Sequence, residues 1–122
     1  MRLIIFFMAL IFSTNVYASE FIHPMDFDGS EEQKEKVIKY IEEKVREDYC
    51  NGALDMCQPT TLRMMENQNM QAFKEAIKAT DRVIMDRVIK DYCNGAISMC
   101  SYTTILMMYK QNKNANEKSL EW

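Results

Sequence analysis

The sequence predicts an all-α protein of four helices, arranged as two tandem helical hairpins that each carry an intra-repeat C-x6-C disulfide. Three observations predict it. A ten-residue motif recurs at an offset of 43 residues, apolar residues upstream of each copy recur at helical spacing, and the four cysteines fall into two C-x6-C pairs. Asp48-Tyr49-Cys50-Asn51-Gly52-Ala53-Leu54-Asp55-Met56-Cys57 is matched by Asp91-Tyr92-Cys93-Asn94-Gly95-Ala96-Ile97-Ser98-Met99-Cys100. The match continues from Thr60-Thr61 onto Thr103-Thr104, from Met64-Met65 onto Met107-Met108, and from Gln68-Asn69 onto Gln111-Asn112. Fourteen of these 22 aligned positions are identical, far above chance, so one supersecondary unit is used twice.

Residues 1–18 read as a secretory signal peptide. Arg2 supplies the positive start, Leu3 to Phe12 is an unbroken apolar run, and Val16-Tyr17-Ala18 precedes the cut. The run holds ten residues, against the roughly 20 that span a bilayer as a helix. No cysteine lies near the cut, which argues against a lipid anchor. Residues 19–29 follow as an extended amino-terminal segment, read as mobile, that holds the lone His23.

The first helix is expected near 30–50. Val37, Ile38, Ile41, Val45 and Tyr49 form its apolar stripe, and Lys and Glu fill the other face. Ser30 with Gln33 resembles a capping box, and Glu31 and Glu32 suit the positive end of the helix. Asn-Gly after a Cys in each copy, Asn51-Gly52 and Asn94-Gly95, is a stop, because glycine tolerates the left-handed cap conformation. Pro59 and the paired threonines open a shorter helix near 57–67. The third helix, near 70–93, carries Phe73, Ile77, Ile84, Val88 and Tyr92. The fourth, near 100–113, carries Ile105, Met107 and Met108. Together they make a single helical domain over 30–113, of two repeats (about 30–69 and 70–113), with a polar tail at 114–122.

Export decides how the cysteines are read: in an oxidising compartment they predict two disulfides. Copying a self-contained unit copies its local bridge, so Cys50–Cys57 and Cys93–Cys100 are the expected pairs. Each closes a loop of eight residues, worth about 2–3 kcal/mol in the chain-entropy account. Cross-repeat pairing, Cys50–Cys93 with Cys57–Cys100, is the alternative. The short signal and the lack of N-x-S/T sequons after it favour a bacterial periplasm.

Composition narrows the function. A net charge of −3 argues against a protein that neutralises nucleic-acid phosphates. Three Gly and two Pro argue against a turn-rich β-sandwich or a collagen. Zinc motifs pair cysteines two to four apart, which the C-x6-C pairs do not. Nine methionines beyond the signal suit Cu(I) by their thioethers, although Met-Met pairs at equivalent helical positions more simply fill a core. The Asp26-Phe27-Asp28-Gly29 stretch lacks the acidic twelfth position of a calcium loop, where Val37 stands. No nucleophile elbow and no H-E-x-x-H motif occurs. The repeated Asp48 and Asp91 are the one acid pair an enzyme could draw on.

The segment Cys50-Asn51-Gly52-Ala53, followed by Cys57-Gln58-Pro59, resembles the C-x-G and C-x-P elements of the periplasmic immunity proteins that neutralise type VI secretion amidases. The resemblance covers residues 50–59. It implies a class, small, exported, helical and disulfide-bonded, and assigns no residue a role.

Differences between the copies point to a binding face. Pro59, Arg63 and Glu66 become Tyr102, Leu106 and Tyr109, while Glu42 and Arg46 become Met85 and Ile89. These spacings share a helical stripe. The added apolar face is covered within the chain, by copy one, by Phe21–Phe27 or by the tail ending in Trp122, or else it docks a partner. Candidate partner-binding residues are therefore Met85, Ile89, Tyr102, Leu106, Tyr109 and Trp122, aromatic side chains being frequent interface anchors. The expected function is protein–protein binding in the periplasm, as an inhibitor, immunity factor or accessory subunit, with no catalysis, cofactor or metal. A homodimer is one arrangement of it. Copper or stress handling through the methionine-rich helices is the alternative, and an enzyme using Asp48 and Asp91 the third.

Overall fold

A computed structural model describes residues 19–51, 56–95 and 99–122. The expected signal peptide and the Gly52 stop lie outside them. The described chain is a 3-10 turn, Pro24–Asp26, and four helices: α1 Glu31–Cys50, α2 Pro59–Ala76, α3 Arg82–Cys93 and α4 Tyr102–Glu117. Both disulfides are local, Cys50–Cys57 and Cys93–Cys100, with Cα atoms 4.6 and 4.5 Å apart. Each bridged loop is also closed by the same backbone bond, Met56 N–H to Tyr49 C=O and Met99 N–H to Tyr92 C=O. The two bridges are thus accompanied by the same backbone bond in both copies.

Caps set the helix starts. Ser30 Oγ accepts the Gln33 N–H, as a capping box requires. The return arm differs: Gln33 Oε1 accepts the Asp28 N–H, and the Ser30 N–H goes to the Asp28 carboxylate. Gly29, at φ +78°, makes this tight entry, with open space where a Cβ would stand. Pro59 starts α2 at its first turn, where a missing N–H costs nothing. Ser101 caps α4 through the Thr104 N–H.

The division between the second and third helices differs from expectation. α2 does not stop near 67 but runs to Ala76, and α3 begins only at Arg82. Residues 66–71 hold no breaker, and the Asn69 amide folds back on its own helix, donating to Met65 C=O. The break falls at Ile77–Asp81 because that segment has outside partners. The Asp81 carboxylate caps α3 by accepting the Ile84 N–H, and the Tyr109 hydroxyl accepts the N–H groups of Thr80 and Asp81.

α1 packs on α2, α3 packs on α4, and the two hairpins meet through α2 and α4. That central pair is parallel: Asn69 Oδ1 faces the Thr103 N–H and Glu75 faces Lys110 further along both helices. Phe73 and Ala76 of α2 are buried in this junction. Their repeat equivalents are Asn116 and Ser119, both exposed. A polar end on the second copy leaves nothing for a third to pack on.

The core is aromatic at its centre. Tyr102 lies 4.8 Å from Phe73, 5.3 Å from Phe21 and 5.5 Å from Tyr40, ring centre to ring centre. Lys44, assigned by pattern to the solvent face, is buried instead. Its position three residues after Ile41 puts its stem on the apolar stripe, and its amine reaches Asp48 at 3.3 Å.

Candidate functional site

The six candidate partner-binding residues separate by burial. Met85 and Tyr102 are fully enclosed and Tyr109 is 5% exposed. Ile89 and Leu106 are half-buried and pack against the core from its edge. Trp122, at the end of the tail, is wholly exposed, as is Leu120. Three of the six thus make their contacts within the chain, and the tail covers nothing.

The amino-terminal segment covers Tyr102, one residue of the extra apolar face. Phe21 stacks on Tyr102 and meets Tyr40 edge-on, while Phe27 meets Phe73 edge-on. The Tyr102 hydroxyl is bonded to both backbone groups of Ile22, accepting its N–H and donating to its C=O. Tyr102 and Tyr109 each use an added hydroxyl to hold a connecting segment, the first the amino-terminal one and the second the α2–α3 turn. Both partners are backbone atoms 28 to 80 residues away, which no periodicity registers.

The same segment is tied to α3 by charge. The Asp26 carboxylate receives Arg82 bidentately at 2.6 and 2.9 Å, and this guanidinium holds it below the usual carboxylate range. His23 Nε2 lies 2.7 Å from Asp86. Since His23 Nδ1 accepts the Met25 N–H, the ring proton sits on Nε2 and is donated to Asp86. His23 therefore has an ordered place at the head of the 3-10 turn, in contrast to the mobile one expected.

Two of the concave surfaces among the described residues combine an apolar lining with a volume of about 440 Å³ or more. One is a groove of about 440 Å³ between α1 and α2. Val37, Met70 and Phe73 line it inside, with Phe27, Ile38 and Ile77 around them and Lys34 and Lys74 at its edge. The other is an open depression of about 610 Å³ along the α2–α4 junction, where Met64 and Leu106 stand among Asn67, Gln68, Gln71 and Glu75. The methionine pairs divide identically in both repeats: Met64 and Met107 are exposed, while Met65 and Met108 pack on the core. Sequence pattern pairs these methionines but does not tell inside from outside.

The acid pair is separated by the architecture. Asp48 is on α1 and bonded to Lys44, Asp91 is exposed on α3, and these two helices flank the central pair. Among the described residues no three His, Cys, Asp or Glu gather as a metal cage. Among them, too, no helix is long and apolar enough to cross a membrane. Comparison with family models, curated proteins and solved structures returns no match.

Proposed function

We propose that this is an exported, periplasmic protein that works by binding another protein, as an inhibitor, immunity factor or accessory subunit, and that it catalyses no reaction. Two disulfides fit an oxidising compartment. The observation that carries the reading is the α2–α4 depression. An apolar centre of exposed Met64 and half-buried Leu106 is ringed by side-chain amides, the layout of an interface with an apolar core and a polar rim. Methionine suits such a surface because its unbranched, polarisable chain adapts to the partner.

The test is capture from periplasmic extract, with a photo-crosslinking residue at Gln68. The expected result is one crosslinked species that disappears with Met64→Arg and with Leu106→Arg. Met64 is 54% exposed, so its variant keeps the fold. Capture that persists in Met64→Arg contradicts the reading.

A second reading rests on the exposure of Met64 and Met107 at equivalent places, since thioethers bind Cu(I). Titration of the oxidised protein with Cu(I), kept reduced by ascorbate, separates the two. Copper uptake lost in a Met64→Leu/Met107→Leu variant favours it, and no uptake removes it.

A further inference from the structure

We propose that the α1–α2 groove receives the C-terminal tripeptide Leu120-Glu121-Trp122 of a second copy of this chain, giving a weak reciprocal dimer. This surface is distinct from the α2–α4 depression. Two independent features fit each other. The groove has an apolar lining and two amines at its edge. Lys74 makes no ion pair among the described residues, and Lys34 has only the highly exposed Glu31, at 3.0 Å. The tail presents the complement: two large apolar side chains with no cover, Leu120 and Trp122, and the Glu121 carboxylate between them.

A volume of about 440 Å³ lies within the range of sites that enclose ligands of roughly 300–1,000 Å³. The geometry orders the docking. Ile38 and Ile77, at 45% and 36% exposure, stand at the groove's open sides, and the Phe73 ring, 2% exposed, lies at its base. Trp122 entering between them exchanges water for the Phe27, Val37 and Met70 side chains, and Glu121 then falls beside the lysines. An aromatic side chain buries about 150–250 Å². Two tails with the two grooves they cover therefore stay below the roughly 1,200 Å² at which standard specific interfaces begin. A dimer of that size is weak and concentration-dependent, and its charged part is screened by salt.

Trp122 is the single tryptophan of the chain, so its fluorescence reads the tail alone. The experiment follows emission and sedimentation of the oxidised protein across a dilution series from micromolar to millimolar. The expected result is a blue shift that rises with concentration in step with the sedimentation coefficient. Lys74→Glu weakens both at least tenfold, Glu121→Lys does the same, and the two together recover most of the loss. Lys74, Glu121 and Trp122 are exposed, so these variants fold, and unchanged circular dichroism checks it. Three outcomes overturn the proposal. One is water-like emission at every concentration. The second is a blue shift independent of concentration, which places the tail on its own chain. The third is a dimer that survives deletion of 120–122.

Discussion

One hydroxyl group, on Tyr102, serves both the N–H and the C=O of Ile22 at 3.2 and 2.8 Å. Tyr102→Phe keeps the ring against Phe21, Tyr40 and Phe73 but leaves two buried backbone groups without a partner. The expected cost is about 1–3 kcal/mol, read as a lower urea midpoint at unchanged slope. Alkaline pH probes the same residues. Burial pushes the Tyr102 hydroxyl up, and pushes Tyr40 up to about 12 with help from Glu47 and Asp48. Below about pH 10 a tyrosine is protonated folded or unfolded, and its contribution is fully present. Above that, the unfolded chain releases protons that the folded chain retains, so stability falls as pH rises toward the folded values. Unfolding by circular dichroism should set in above about pH 10 together with tyrosinate absorbance, and less steeply in Tyr102→Phe. Composition and repeat comparison single out Tyr102 and Tyr109 as the residues that copy two adds. Their roles are illegible there because hydroxyl partners on distant backbone leave no periodic trace. Lys44 is the opposite case: its place on the stripe was legible by spacing, and its charge hid it.

At the scale of elements, the starts of α1 and α2 were readable, while the equally local caps at Asp81 and Ser101 were not read. Ser30 with Gln33 starts α1, and Pro59 starts α2, much as their chemistry dictates. The start of α3 was not read, although Thr80-Asp81 is cap-type chemistry, because the apolar stripe from Phe73 to Val88 continues across the break. The Asp81 carboxylate and the Tyr109 hydroxyl, not a loss of periodicity, end one helix and begin the next. Asp81→Ala should therefore cost about 1 kcal/mol. Hydrogen exchange should quicken at the Val83, Ile84 and Met85 amides and stay unchanged in α1; a uniform change along the chain would contradict a local cap.

For the molecule as a whole, duplication explains both what matches and what differs. Equivalent disulfides sit at the ends of α1 and α3, while the added Tyr102 and Tyr109 of copy two hold the amino-terminal segment and the α2–α3 turn. The hairpins and their bridges were legible because they are local. The parallel α2–α4 junction was not, since it depends on which faces pack across the repeats. The two bridges should contribute unequally. Replacing either cystine by alanines removes about 2–3 kcal/mol of chain-entropy stabilisation. The Cys93→Ala/Cys100→Ala variant should lose more than Cys50→Ala/Cys57→Ala in urea denaturation, because Cys100 is 7% exposed whereas Cys57 lies at the surface. Equal losses would mean that packing around Cys100 adds nothing.

Export, oxidation and tandem copying are tested together by one measurement, mass mapping of the protein recovered from its exporting host without reduction. The expected result is a chain that begins at Ser19 and holds no free thiols, whose peptides join Cys50 to Cys57 and Cys93 to Cys100. Free cysteines, a Cys50–Cys93 linkage or a retained 1–18 segment would contradict it.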